Sequence, residues 1–208
     1  MPSLKYKNFT AALFSLFVAG LRVWLLGHSL VFWLGSWVRQ NKAAFPFNTK
    51  WIGLRGARVD AVRKAFDKAV RTTTRPDFII LHAGSNDLCH LPSGQLRHRL
   101  ADLLGHMQRT FPETIIIWSG MLLRRHYKGA NSQYKINRAR LTVNRFVAKF
   151  ATTSGMKAVK HNFLVGQPQL FRDDVHLTDA GNLLFARDLK NALEHFRHHP
   201  CDTVYATP

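Results

Sequence analysis

The sequence predicts an α/β fold, a three-layer αβα sandwich around a five-stranded parallel sheet of flavodoxin-like topology. Short apolar runs alternate with amphipathic segments, which is typical of parallel strands joined by crossover helices. Several runs are continuously apolar, as expected when both faces of a sheet are buried. A hydrophobic content of 46% with 12% aromatic residues suffices for a packed core and excludes a disordered chain.

The strands and helices can be placed in chain order. The apolar runs predict strands at residues 21–26, 50–54, 77–82, 114–119 and 156–160. The amphipathic segments predict helices at residues 31–41, 59–71, 93–110, 133–152 and 180–196. Ser93 and Thr178 are the predicted N-caps of the third and fifth helices, because their hydroxyls can accept the first free backbone N–H groups.

The domain organisation follows from the absence of internal linkers or repeats after residue 20. We predict an N-terminal appendage at residues 1–20, one domain at 21–197 and a C-terminal tail at 198–208. Lys5 and Lys7 precede an apolar run at 9–18, which resembles the centre of a signal peptide. Arg22 interrupts the apolar stretch before it reaches membrane-spanning length. We expect an intracellular protein, with secretion or membrane tethering through residues 1–20 as the alternative.

The charge is strongly positive, at +18. Such a field attracts polyanions such as nucleic acid or acidic membrane. No acidic residue occurs between Thr114 and Arg172. The basic residues of that stretch are Arg124, Arg125, Lys128, Lys135, Arg138, Arg140, Arg145, Lys149, Lys157 and Lys160. A solvated basic face is the first interpretation, and a nucleic-acid site is the second, because no binding motif accompanies the charges.

Cysteine and histidine spacing gives no sign of a metal site. Cys89 and Cys201 lie far apart without a CxxC pattern, which argues against a disulfide framework and against a zinc site. His195, His198 and His199 cluster near the C-terminus, where a solvated helix end is the simpler interpretation. No metal is expected.

Three candidate binding motifs follow the first three predicted strands. Gly27-His28-Ser29 places a serine at a strand-to-helix turn, where a helix N-terminus favours negative charge. Gly56 follows the second strand, and a glycine there can turn its N–H toward an anion without a side chain in the way. Asn86 follows the third strand with a carboxamide that can donate to an oxyanion. Each motif alone also suits a structural role as helix cap, turn glycine or Asx turn.

A fourth motif precedes the last predicted helix and places Asp173 three residues before His176. A serine hydroxyl is a poor nucleophile unless an imidazole accepts its proton. A carboxylate on the other ring nitrogen selects the imidazole tautomer and stabilises the imidazolium. The spacing therefore suits a base and its orienting acid, which makes Ser29 a candidate nucleophile.

The four motifs together resemble the sequence blocks of the SGNH hydrolases, also called GDSL-like esterases. The blocks read Gly27-His28-Ser29, Gly56, Gly84-Ser85-Asn86-Asp87 and Asp173-Asp174-Val175-His176. Their order and spacing match from residue 21 to about residue 193. The stretch from residue 23 to residue 33 also resembles SGNH-like domains found in vertebrate mobile elements.

The resemblance implies a serine esterase with the SGNH hydrolase fold. Ser29 would be the nucleophile, His176 the base and Asp173 the acid that orients it. The oxyanion hole would consist of the backbone N–H groups of Ser29 and Gly56 and the side-chain amide of Asn86. Members of the family cleave esters through an acyl-enzyme without a metal or an organic cofactor. The resemblance therefore implies a small acyl ester as substrate and no cofactor.

One residue departs from the family pattern, because His28 stands where the first block usually has Asp. A histidine can still form a hydrogen bond at this turn, but it supplies no fixed negative charge. The departure leaves room for lowered activity or an altered pH profile. The alternative function is therefore a catalytically weakened module of the same fold whose basic face binds nucleic acid.

Overall fold

The computed structural model describes residues 20–207, in which strands and helices alternate along the chain. The strands are β1 (Arg22–Gly27), β2 (Asn48–Gly53), β3 (Phe78–His82), β4 (Ile115–Ser119), β5 (Lys157–Lys160) and β6 (Val204–Ala206). The helices are α1 (Ser29–Gln40), α2 (Val59–Thr72), α3 (Ser93–Thr110), α4 (Gln133–Thr153) and α5 (Asp179–His198). Short 3₁₀ turns lie at Lys42–Ala44 and Pro168–Leu170. The predicted apolar run at residues 9–18 lies outside the described residues.

The strands form one parallel sheet in the order β2-β1-β3-β4-β5-β6. The first five follow the flavodoxin-like order, which confirms the predicted fold class. The predicted count of five is one too low, because Val204–Ala206 pairs with β5 at the sheet edge. This strand has only three residues and is largely exposed, so its apolar run is too short to indicate a strand in the sequence. It lies within the predicted tail, and the domain boundaries themselves stay a prediction.

The core has two halves, one on each face of the sheet. Successive side chains of a strand point to opposite faces. Trp24 and Leu26 of β1 therefore pack with α2, α3 and α4, while Val23 and Leu25 pack with α1 and α5. This arrangement confirms the three-layer sandwich and explains why the middle positions of the central strands are apolar on both faces. Burying a side chain of this size contributes about 1.5–3 kcal/mol.

The stripe on α3 shows how the sequence pattern becomes packing. Its apolar residues all lie in the core, namely Leu96, Leu100, Leu103, Leu104 and Met107. Thr178 caps α5 as predicted, with its hydroxyl accepting from Gly181 N at 3.3 Å. Ser93 is instead the first residue of α3, whose cap position is Pro92. Among the helices of residues 20–207, none is long and apolar enough to cross a membrane.

Candidate active site

Ser29 is the first residue of α1, directly after β1. His28 occupies the N-cap position, and its Nδ1 accepts a hydrogen bond from the Leu30 N–H at 3.4 Å. A Cβ on Gly27 would lie 2.0 Å from the carbonyl oxygen of His82 on the neighbouring strand, so only glycine fits there. Ser29 is 7% exposed and lies at the carboxyl end of the parallel strands. The tight turn thus presents the hydroxyl at the carboxyl ends of the strands, where ligands bind in such folds.

His176 and Asp173 approach Ser29 from the loop before α5. The His176 Nε2 lies 3.2 Å from the Ser29 Oγ, and the His176 Nδ1 lies 2.8 Å from Oδ2 of Asp173. Oδ1 of Asp173 accepts from the backbone N–H groups of Val175 and His176 at 2.7 and 2.6 Å. The structure therefore brings the three predicted side chains into one hydrogen-bonded series.

Asp173 remains a carboxylate under all but strongly acidic conditions. Partial burial works to raise its pKa, but the donors from His176 and Val175 outweigh burial and bring the pKa to about 2. The neighbouring Asp174 instead offers its backbone carbonyl to Arg125 N at 2.9 Å. Of the two adjacent acids, Asp173 is the one hydrogen-bonded to the histidine.

Gly56 and Asn86 line one cavity of about 280 Å³. Gly56 has φ +68°, and a Cβ there would meet nothing, so its conformation is the reason for glycine. The Asn86 amide donates to the Ala57 carbonyl at 2.8 Å, and its Oδ1 accepts from Arg124 Nη2 at 2.8 Å. A carboxamide nitrogen carries two N–H groups, so the second stays available for a ligand.

Asp87, next to Asn86, connects two loops through its buried carboxyl. Its carboxyl is 1% exposed and accepts from the Val59 N–H at the start of α2, at 3.2 and 3.4 Å. Burial raises the pKa of Asp87 to about 6, although the Val59 N–H and Arg58 act in the opposite direction. Asp87 thus ties the loop after β3 to the loop that carries Gly56.

Sequence reasoning missed the aromatic and cationic surroundings of His176. The Trp33 ring lies edge-on to His176 with 6.3 Å between ring centres. The guanidinium groups of Arg55 and Arg172 lie 5.6 and 5.1 Å from the centre of the Trp33 ring. Cation–π contacts of this kind hold a ring in place. A tryptophan one turn after Ser29, on the same helix, was the available signal in the sequence.

A buried polar chain also escaped sequence reasoning. His82 Nδ1 lies 3.0 Å from Ser119 Oγ, which lies 2.7 Å from His161 Nε2. His161 Nδ1 in turn bonds to Oδ2 of Asp188, whose Oδ1 accepts from Thr207 Oγ1 at 2.8 Å. With Asp188 as the acceptor, the series is satisfied when each histidine carries its proton on Nδ1. The chain joins the ends of β3, β4 and β5 to α5.

His28 lies at the active-site end of this chain. It is fully buried, and its ring is edge-on to His82 with 5.1 Å between centres. Because His28 Nδ1 accepts from Leu30, its proton lies on Nε2. Burial, and then the neighbouring positive groups, lower the pKa of His28 and of His82 well below the usual histidine value. Both rings are therefore neutral, and His28 supplies a cap without a charge.

Three residues predicted to lie on a solvated basic face are partly or fully buried. Arg124 reaches Asn86, while Arg140 donates to the Met121 carbonyl at 2.8 Å. Lys157, 8% exposed, donates to the carbonyls of Pro200 and Asp202. Free carbonyl and amide oxygens at loop ends draw these cations inward, which charge counting does not reveal.

The described residues show no disulfide and no metal-binding cluster. Cys89 is half-buried, Cys201 is exposed, and both are free thiols. Within residues 20–207, no group of three or more His, Cys, Asp or Glu side chains could hold a metal ion. His195 pairs with Asp202 at 2.9 Å.

Solved structures share this fold at low sequence identity. A member of the lipolytic G-D-S-L family from Veillonella parvula is 17% identical with a TM-score of 0.68, and the match covers 86% of this chain and 99% of that one. A GDSL-like lipase from Bacteroides thetaiotaomicron is 17% identical with a TM-score of 0.66, covering 91% and 97%. A lipase/acylhydrolase from Enterococcus faecalis is 15% identical with a TM-score of 0.65, covering 84% and 95%.

Identities this low establish the fold alone, and no curated protein matches the chain. The family model decides the question of membership. The GDSL-like lipase/acylhydrolase model matches residues 18–184, which include Ser29, Gly56, Asn86, Asp173 and His176. The chain therefore belongs to the GDSL-like lipase/acylhydrolase family of hydrolytic enzymes.

Proposed function

We propose that the protein is a serine esterase that hydrolyses a small acyl ester through an acyl-enzyme. The observation that carries the proposal is the series from Ser29 Oγ to His176 Nε2 at 3.2 Å and from His176 Nδ1 to Asp173 at 2.8 Å. A nucleophile within reach of a base, itself oriented by an acid, is the arrangement that activates a hydroxyl. The proposal needs no metal or cofactor.

In the first half-reaction, the Ser29 Oγ attacks the ester carbonyl while His176 Nε2 takes the hydroxyl proton. Asp173 keeps the Nδ1–H of His176 in place and stabilises the imidazolium. The N–H groups of Ser29 and Gly56 and the free N–H of Asn86 donate to the oxyanion. The ester C–O bond then breaks, and His176 returns its proton to the departing alcohol.

In the second half-reaction, water attacks the acyl-Ser29 carbonyl. His176 accepts a proton from the water, and the same donors bind the oxyanion. When the bond to Ser29 Oγ breaks, the proton returns to the serine. Each turnover consumes one ester and one water and releases one alcohol and one carboxylic acid, so the enzyme is unchanged.

Replacing Ser29 tests the proposal directly. Ser29→Ala should lower the rate of 4-nitrophenyl acetate hydrolysis by about 10³- to 10⁶-fold, because the oxyanion donors alone give only residual catalysis. The matched control is Ser154→Ala, at the exposed C-terminal end of α4, which should keep the wild-type rate. Hydrolysis that persists in Ser29→Ala would contradict the proposal.

A second candidate function is attraction of nucleic acid to a basic stripe. Lys135, Arg138, Arg145 and Lys149 are exposed on α4, and their spacing of three, seven and four residues places them on one helix face. This candidate rests on charge alone. Affinity for single-stranded RNA should then fall steeply as salt rises, since the contacts release counterions. Absence of RNA binding at about 20 mM salt, where electrostatic contacts are strong, would contradict this candidate function.

A further inference from the structure

The cavity beside Gly56 and Asn86 has a cationic wall. Arg58, Arg124 and Lys128 line it, and no carboxylate does so among the described residues. Cys89 also lines it, but burial raises the pKa of that thiol, so it adds no negative charge. The cavity therefore offers an unbalanced positive field next to the proposed oxyanion hole.

Arg124 is the centre of this field. Its Nη2 donates to Asn86, and its guanidinium lies 5.7 Å from the centre of the Tyr127 ring. Its Nε is buried without a hydrogen-bond partner in the described part of the chain, which also provides no carboxylate within ion-pair distance. Burial lowers the pKa of the Arg124 guanidinium, because removal from water disfavours its charged form. Burying a cation without a counter-ion is costly, so a bound anion would relieve the cost.

Ser85 provides a second, independent observation. It lines the same cavity, is 2% exposed, and its Oγ has no partner among residues 20–207. Buried hydroxyls normally find a partner, and leaving one unpaired costs about 1–3 kcal/mol. Both residues line one cavity, so a rotation of each side chain would bring an unpartnered hydroxyl and an unpartnered guanidinium N–H, now buried in the wall, to a bound carboxylate or phosphate.

We infer that this cavity binds an anionic group of the substrate, so that the preferred substrate is an ester bearing a carboxylate or a phosphate. The inference rests on the proposed esterase function. Arg124 and Ser85 donate to the anionic group, while Arg58 and Lys128 add long-range attraction. Arg124 thereby determines specificity in addition to holding Asn86 in place.

Two matched substrate pairs test the inference and show which half of the ester carries the charge. The first pair is mono-4-nitrophenyl succinate and its methyl ester, with the charge on the acyl half. The second is 4-acetoxybenzoate and its methyl ester, with the charge on the alcohol half. The measured quantity is the ratio of kcat/KM for the anionic member to kcat/KM for the neutral member.

In the wild-type enzyme, the anionic member of at least one pair should be preferred by about 10- to 100-fold, as expected for hydrogen bonds to a buried charged group. Arg124→Gln should abolish this preference, and Arg124→Lys should retain part of it. Ser85→Ala, a smaller change, should reduce it by about 3- to 10-fold. The control is Arg63→Gln on the exposed face of α2, which makes the same charge change and should keep the preference.

Several results would overturn the inference. Ser29-dependent hydrolysis without an anionic preference in either pair would do so while leaving the esterase proposal intact. An Arg124→Gln variant that loses the same factor on all four substrates would show that Arg124 acts only through Asn86. If no substrate is hydrolysed in a Ser29-dependent way, titration of the Ser29→Ala variant with inorganic phosphate tests the anion site by itself. Binding that Arg124→Gln abolishes would uphold the anion site, and absence of binding would refute it.

Discussion

His28 keeps the hydrogen bond that caps α1 but supplies no negative charge, in contrast to the aspartate usual at this position. The ring caps α1 through Nδ1, as a carboxylate at that position would, but it is neutral and fully buried. The positive end of the helix dipole next to Ser29 therefore meets a neutral acceptor. Retention of the cap explains how the turn keeps its geometry without the usual aspartate.

Substitution at His28 separates the cap from the charge. His28→Ala should lower the free energy of unfolding by about 2–4 kcal/mol, because it removes both a cap and a buried ring, and should also lower kcat. His28→Asp keeps a cap acceptor and should retain more of kcat than His28→Ala. Urea unfolding and 4-nitrophenyl acetate kinetics measure the two effects. A His28→Ala variant with wild-type stability and kcat would contradict the capping role.

Individual residues of the candidate site differ in whether their positions could be predicted from the sequence. Ser29, Asp173 and His176 could be predicted because each belongs to a short motif at the end of a predicted strand or before a helix, and the structure brings them together. Arg124 and Ser85 could not, since their importance depends on burial and on missing partners. The sequence alone does not distinguish an arginine that lies in solvent from one that is buried.

At the element scale, Asp87 connects the loop after β3 to the N-terminus of α2. Its folded-state pKa of about 6 lies above the ordinary value of 3.8. The folded protein therefore binds more protons than the unfolded chain between these two pH values. The stabilisation that this group contributes is complete below about pH 4 and is lost as the pH rises through about 6.

Replacing Asp87 with asparagine should remove this pH dependence. Asp87→Asn keeps an oxygen for the Val59 N–H but cannot ionise, so at pH 8 it should be as stable as wild type or more stable, by at most about 3 kcal/mol. The measurement is the free energy of unfolding from pH 4 to pH 8. Asp102→Asn, on the exposed face of α3, should keep the wild-type profile. An unchanged profile in Asp87→Asn would show that the carboxyl ionises normally.

Elements with a periodic pattern or a distinct apolar run could be predicted, while the three-residue edge strand β6 and the 3₁₀ turns could not. The stripe of α3 identifies its buried face because five apolar residues recur at helical spacing. The edge strand β6 has three residues and exposed ends, so it depends on pairing with β5 and on the Lys157 contacts to Pro200 and Asp202. Interactions between distant segments have no local sequence signal.

Across the whole molecule, the buried polar chain connects the end of β3, which packs against His28 beside Ser29, to the far edge of the sheet. It passes from His82 through Ser119 and His161 to Asp188 on α5, and Thr207 joins it after β6. His161 and Asp188 side chains are 2% and 1% exposed. A connected buried network of this kind holds several elements in one arrangement.

Asp188→Ala tests this connection. Removing the carboxylate leaves His161 Nδ1 without its partner and should lower the free energy of unfolding by about 1–3 kcal/mol. Denaturant unfolding gives the value. The control Asp102→Ala removes an exposed acid of α3 and should change stability by less than about 0.5 kcal/mol. Equal stability of the two variants would show that the buried chain does not support the fold.

Formation of an acyl-enzyme requires Ser29 to act as the nucleophile. The most direct measurement is mass spectrometry of protein quenched in acid during turnover of 4-nitrophenyl acetate, followed by peptide mapping. The expected result is one acetyl group on the peptide that contains Ser29, absent from Ser29→Ala. An acetyl group on another residue, or turnover by Ser29→Ala at the wild-type rate, would contradict the account.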